Sequence, residues 1–311
     1  NLIFAARSGS PLAVGYGKNE MYLGSDALAL LPLTKKVAYL EEGDHAILTR
    51  EGAEIYDIKG SSVSRQISYL NQSINFHDKS GFSHFMEKEI HEQPIALERA
   101  ISSYLSDGTG KPTFNLLKNI NFMEVSRIIL VACGTAYYAC YVAKYWIEKL
   151  AKIPVEIDIA SEFRYREPPI ERATVAIFVS QSGETADTLA ALRYCNGRAE
   201  KIISIVNVST SSIARESDEV LDIHAGPEIG VASTKAFTCQ LAVLLLATLK
   251  AAKDRAEISS TDISKTVNNL KNLPAILNQY LGNVNSLKDI SYKLSTTSDV
   301  LFLGRGLMYP L

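Results

Sequence analysis

The sequence predicts an α/β protein: a doubly wound parallel sheet of five strands in the C-terminal two thirds, preceded by an antiparallel β-rich segment. Three observations carry this expectation. From Arg127 onward, short apolar runs alternate with helical patterns, the signature of βαβ units. Those runs are apolar almost throughout, as strands covered by helices on both faces must be. Before residue 60 the apolar runs are separated by glycine-containing turns with no long helix between them.

The 311 residues, 47% hydrophobic, suffice for about two domains with sizeable cores. In "LIFAARSGSPLAVGYG" two apolar runs flank Ser8, Gly9, Ser10 and Pro11, which predicts a hairpin. "VAYLEEGDHAILTREGAEIYDI" adds three short strands, punctuated at Glu42-Gly43-Asp44 and Glu51-Gly52. The polar stretch that follows has few apolar anchors and reads as a linker, residues 60–82. Ile90, Leu97, Ile101 and Leu105 recur at helical spacing, with Pro94 expected to break or kink the helix. His84, Glu87 and His91 could share a helix face, but a solvated or capping role is the expectation rather than a metal site.

The five predicted strands lie in "RIILVACGT", "VEIDIASEF", "TVAIFVSQSG", "KIISIVNVS" and "EVLDIHAG". Helices fill residues 235–296, and "DVLFLGRG" reads as the opening of one more strand. The apolar run "AFTCQLAVLLLATL", Ala236 to Leu249, is too short and interrupted to span a bilayer and is expected to be a buried core helix. The predicted organisation is a β domain over 1–59, a linker over 60–82, an α/β domain with flanking helices over 83–298, and the start of a second α/β domain over 299–311. Both ends read as cuts within a longer protein, because each is apolar where a natural terminus is usually polar.

A net charge of −2 supplies no field for nucleic acid or an anionic membrane, so neither is an expected partner. Cys133, Cys140, Cys195 and Cys239 form no C-x-x-C pair and read as reduced thiols of a cytoplasmic protein. With five scattered histidines, no metal site is expected.

In a doubly wound sheet, ligands collect at the carboxyl ends of the strands. Three loops belong there: Cys133-Gly134-Thr135, Ser180 to Thr185 ("SQSGET"), and Asn207 to Ser212 ("NVSTSS"). All are rich in hydroxyls and poor in positive charge. A helix N-terminus, neutral hydroxyl donors and a glycine that lets the backbone approach suit a phosphate ester. Glu184 is expected in the first helical turn. The plainer alternative is N-capping by Ser182 or Thr185, but one cap needs only one hydroxyl. Ser233 or Thr234 could cap the following helix or wall a ligand, and Lys235 at its start is expected to snorkel to solvent. A nucleophile elbow is excluded because Ser180 and Glu184 stand where glycines are required. A dinucleotide fingerprint is weak, since only Gly134 follows the first strand.

The segments "CGT", "ASEFRYR", "SQSGETADTL", "RESD" and "EIGVASTKAFT", joined in order by "AARSGSPLAVG", "SDALAL", "LEEGD", "KEIHEQP" and "FLGRG", resemble the glutamine–fructose-6-phosphate aminotransferases (isomerizing), the glucosamine-6-phosphate synthases. The resemblance runs along nearly the whole chain. It implies that residues 1–59 are the end of an N-terminal-nucleophile-hydrolase-like amidotransferase domain and that 83–298 are a first sugar-isomerase (SIS) domain. It implies fructose 6-phosphate and glucosamine 6-phosphate as ligands, glutamine as nitrogen donor elsewhere in the protein, no cofactor, and a homodimer when full length. Carried over by position, Thr135, Ser180, Gln181, Ser182 and Thr185 hold the phosphate, while Val231 and Ser233 line the sugar. No catalytic residue of the family has a counterpart here. Ala136 stands where the family usually has serine, a loss of about 0.5–1.5 kcal/mol unless Tyr137 or a water replaces the hydroxyl. The competing expectation is a SIS module that senses sugar phosphates without catalysis.

Overall fold

The computed structural model describes residues 2–9, 11–25, 27–69, 79–106 and 112–311. The chain divides into two units, 1–78 and 79–311.

The first unit runs β1 (Ile3–Ala6), β2 (Ala13–Tyr16), β3 (Met21–Gly24), α1 (Ala27–Leu30), β4 (Lys36–Tyr39), β5 (His45–Leu48), β6 (Ala53–Tyr56), β7 (Ser62–Val63) and β8 (Ile67–Tyr69). Two antiparallel sheets form, ordered β1-β5-β6-β7 and β3-β2-β4-β8. Val14 and Leu40 meet Ala46, Leu48 and Ile55 in one buried cluster. Ala27 and Leu30 of α1 bury against Ala13 and Val37 on the other face of the second sheet.

The expected β1–β2 hairpin does not form. β1 pairs with β5, Ile3 opposite Leu48, and β2 pairs with β3 and β4. Beyond β1 the pairing continues into the turn before β5, where Arg7 N donates to Asp44 O at 2.8 Å and Gly43 N to Arg7 O at 3.1 Å. The edge of β1 is thus used before a hairpin could close. Ser10 lies outside the described residues.

The expected linker is also corrected over its first half. Residues 62–63 and 67–69 are the outer strands of the two sheets. Such short edge strands leave no periodic trace in sequence. The remainder of that stretch, 70–78, lies outside the described residues.

The second unit begins with α2 (Phe85–Tyr104), β9 (Leu105–Ser106) and β10 (Thr113–Phe114). Pro94 neither breaks nor ends α2. Gln93 Nε2 donates to Ile90 O at 3.0 Å, the carbonyl that the missing proline N–H leaves without a helical donor. Next come β11 (Arg127–Ala132), α3 (Gly134–Trp146), β12 (Val155–Ile159), α4 (Ala160–Arg166), β13 (Thr174–Ser180), α5 (Ala186–Cys195), β14 (Lys201–Val206), α6 (Ser212–Arg215) and β15 (Glu219–Asp222). The chain closes with α7 (Lys235–Asp254), α8 (Ser260–Leu281) and α9 (Asn285–Leu294).

The five strands from β11 to β15 form one parallel sheet ordered β12-β11-β13-β14-β15. Alternate side chains serve opposite faces. Ile128, Leu130, Ile177, Val179 and Ile205 pack under α2, α3 and α7. Ile129, Val131, Phe178 and Val206 pack with Phe163 of α4, Leu189 and Leu192 of α5, and Ile213 of α6. Both faces are buried, which is why these strands read as continuous apolar runs. Among the described residues, α7 is the one helix long and apolar enough to cross a membrane, and 72% of that stretch is buried in the fold.

"VEIDIASEF" divides at Ile159: its last four residues open α4. "DVLFLGRG" is not a strand. Leu301, Phe302 and Leu303 are 82–87% exposed, and no strand among the described residues pairs with them.

Candidate functional site

The strand order reverses direction between β11 and β13. Chain connections diverge there, β12 lying outside β11 while β14 and β15 continue beyond β13. This leaves a crevice at the carboxyl ends of those two strands, the position at which open α/β sheets bind ligands. A cleft of about 310 Å³ occupies it. Its walls come from Cys133 to Ala136, from Val179 to Ser182 with Thr185, and from the loop Glu228 to Ser233, with Gln240 of α7.

All seven residues singled out in the sequence line this cleft: Thr135, Ser180, Gln181, Ser182, Thr185, Val231 and Ser233. No lysine or arginine does, among the described residues. The third loop expected at this edge does not join them. Asn207 Nδ2 donates to Gly226 O at 2.7 Å, and Ser211 caps α6 through Ala214 N. That loop buttresses the cleft from behind.

The hydroxyls are not consumed by helix capping. Thr185 occupies the N-cap position of α5 without a side-chain cap bond, and so does Cys133 for α3. Thr185 Oγ1 instead pairs with Ser180 Oγ at 2.9 Å, and Ser180 Oγ also accepts Gly183 N at 3.1 Å. Two hydroxyls share one hydrogen bond between them, so one proton of the pair is left to donate. Ser182 Oγ accepts Glu184 N at 3.1 Å, which leaves its own proton available. Two helix N-termini without side-chain caps therefore flank a set of hydroxyl donors, and first-turn N–H groups are anion donors in their own right.

Glu184 corrects an expectation. It precedes α5, and its carboxylate accepts Ser212 N at 2.9 Å. Gly183 makes this turn possible at φ +67°, a conformation that costs L-residues dearly.

The opposite wall is held by two carboxylates that sequence reasoning missed. Glu228 accepts Thr234 N at 2.8 Å and Ala236 N at 3.1 Å, and Ser233 Oγ donates to it at 3.1 Å. Thus a carboxylate, not Ser233 or Thr234, caps α7, as the positive end of the helix dipole favours. Glu89 of α2, 2% exposed, accepts Ile229 N at 2.6 Å and Gly230 N at 3.1 Å. Val231 is fully exposed at the tip of the loop so anchored. A lone glutamate on an amphipathic helix normally marks the solvent face, so Glu89 left no signal. Lys235 does not snorkel: it is 3% exposed and its Nζ donates to Glu92 Oε2 at 2.5 Å.

Ala136 lines the cleft in the first turn of α3. Tyr137 does not replace the missing hydroxyl. It lies outside the lining and stacks edge-on with Tyr138 and Tyr141, ring centroids 5.8 and 6.1 Å away. Burial raises the Tyr137 phenol above its ordinary value.

Comparison with known proteins follows this geometry closely. Residues 121–250 match the family described as SIS domain. The chain is also similar along its entire length to curated enzymes named glutamine–fructose-6-phosphate aminotransferase [isomerizing], with 49% identity to that of Zymomonas mobilis and 48% to one from Bradyrhizobium diazoefficiens. It spans about half the length of these relatives, 51% of each. Among solved structures, the C-terminal domain of glucosamine-fructose-6-phosphate aminotransferase from Francisella tularensis superposes with a TM-score of 0.71 at 43% identity. That match covers 75% of this chain and 65% of the other. The matched stretch coincides with the parallel sheet, α3 to α6 and most of α7, the region that supplies every wall of the cleft.

Proposed function

We propose that this cleft holds the phosphate of fructose 6-phosphate or glucosamine 6-phosphate. On this reading the chain is the sugar-phosphate-gripping part of a glutamine–fructose-6-phosphate aminotransferase (isomerizing). The observation that carries it is the pair of helix N-termini, each without a side-chain cap, around Ser180, Ser182 and Thr185, whose hydroxyl protons are not all spent inside the protein. Thr135, Ser180, Gln181, Ser182 and Thr185 grip the phosphate, and Val231 and Ser233 face the sugar. A dianion is held here by dipoles and neutral donors, without a cation.

The whole enzyme combines amino transfer from glutamine with ketose–aldose isomerisation. None of its nucleophile or acid–base groups is carried over onto these residues, so the chain alone binds without turnover. The same reading makes the full-length protein a cytoplasmic homodimer that needs no cofactor. Similarity to enzymes named glutamine–fructose-6-phosphate aminotransferase [isomerizing] over the whole chain, residues 1–78 included, favours it over a stand-alone sensor.

Titration calorimetry on the 311-residue chain tests the proposal. Fructose 6-phosphate binds, adenosine monophosphate does not, and Ser182→Ala weakens the sugar phosphate roughly three- to tenfold. Unchanged affinity in that variant removes the phosphate assignment.

A further inference from the structure

Gln240 presents an orphaned acceptor beside the cleft. The residue is 1% exposed, it lines the cleft, and its Oε1 has no hydrogen-bond donor. It sits inside "AFTCQLAVLL", the one amide in an otherwise apolar helical run. Helical spacing places it one turn beyond Ala236, whose N–H is taken by Glu228. The backbone of α7 cannot supply the missing donor, because N–H groups in a helix interior are already committed to carbonyls one turn back. None of the hydroxyls across the cleft donates to it either.

A buried acceptor without a donor is costly, and native proteins rarely tolerate one away from a functional site. We infer that Gln240 is a specificity-determining contact: its carboxamide oxygen accepts a hydrogen bond from a hydroxyl of the bound sugar. This inference rests on the phosphate-cleft reading above. The phosphate itself cannot satisfy the oxygen, since a phosphate dianion offers only acceptors and would be repelled. A polyol hydroxyl is the donor the ligand can bring. The cleft then has two chemically opposite ends, donors for the phosphate and an acceptor for the sugar, and this polarity fixes the direction in which the ligand lies. A site built to bond a hydroxyl discriminates strongly against an analogue without it.

The test is calorimetry on the full 311-residue chain with fructose 6-phosphate and with inorganic phosphate, comparing wild type and Gln240→Met. The variant is expected to bind fructose 6-phosphate roughly tenfold more weakly and inorganic phosphate unchanged. In wild type, one member of a series of monodeoxy fructose 6-phosphates is expected to lose the same factor, and to lose nothing further in the variant. Equal weakening of both ligands, or of neither, overturns the contact while leaving the phosphate cleft intact. Wild type that binds neither ligand overturns the phosphate reading and this inference together. Should Gln240→Met not fold, the deoxy series on wild type still decides: a ligand that tolerates removal of every hydroxyl overturns the contact.

Discussion

The Ser211 side chain occupies the space that a side chain at Gly183 would need. A Cβ built on Gly183 lies 1.9 Å from Ser211 Oγ and 2.5 Å from its Cβ. The two residues belong to loops after different strands, and Ile213 N donates to Gly183 O at 3.0 Å. The loop that lines the cleft is therefore locked to the loop behind it, and Gly183 adopts φ +67° to do so.

Gly183→Ala is expected to destabilise the protein by about 2–4 kcal/mol, from left-handed backbone strain and steric overlap together. Ser211→Gly added to it should recover the steric share and leave the backbone share. Denaturant unfolding of the two variants measures the split.

Glu89 sets the position of the wall loop from a helix 140 residues away in sequence. Glu89→Ala is expected to speed amide exchange at Ile229 and Gly230 by at least roughly tenfold, because their shared acceptor is gone. Exchange elsewhere in the parallel sheet should not change. Unaltered protection at these two amides would show that the loop holds itself.

The first unit carries an acid-sensitive pin. Asp44, 1% exposed, accepts Arg65 Nε at 2.8 Å, Arg65 Nη2 at 2.7 Å and Glu41 N at 2.7 Å. Burial alone would raise this carboxyl, but the guanidinium and the backbone N–H outweigh it and hold it below its ordinary value of 3.8. A depressed carboxyl contributes stability that is present above pH 3.8 and is lost as pH falls through the folded value. Arg65→Met is expected to cost about 3 kcal/mol at pH 7, by leaving a buried charge unpaired. The gap should narrow near pH 3, where the variant's Asp44 is neutral; unfolding at both pH values reads it.

Thiol chemistry should report on the cleft. Burial pushes Cys195 and Cys239 up to about 12 and Cys140 higher still, so these three are almost wholly thiols at pH 8. Cys133 is half-buried and lines the cleft. Iodoacetamide is expected to alkylate Cys133 first, with the other three reacting only on unfolding. Fructose 6-phosphate should slow the Cys133 reaction; peptide mapping by mass spectrometry resolves both points.

Much of this molecule was legible in the residues themselves. The strands β11, β13 and β14 announced themselves because burial on both faces demands continuous apolar runs. "SQSGET" announced the cleft because its hydroxyls exceed what one helix cap can use. What stayed hidden depends on residues distant in sequence. The β1–β2 hairpin failed because the β5 turn took the edge of β1, and the strands after residue 60 were too short and polar to show a period. Glu89 looked like a solvent-facing glutamate, and Gln240 like a blemish in an apolar helix.

The sequence by itself determined the parallel sheet, its strands and the hydroxyl-rich loops that line the cleft, because local periodicity and loop chemistry are written in neighbouring positions; Val231 was pointed to by the family resemblance alone. Only the tertiary structure decided which carboxylates anchor the far wall, which loop supports the near one, and which buried amide is left without a donor. Hydrogen bonds between residues 28 and 140 positions apart close only when the sheet brings their loops to one edge.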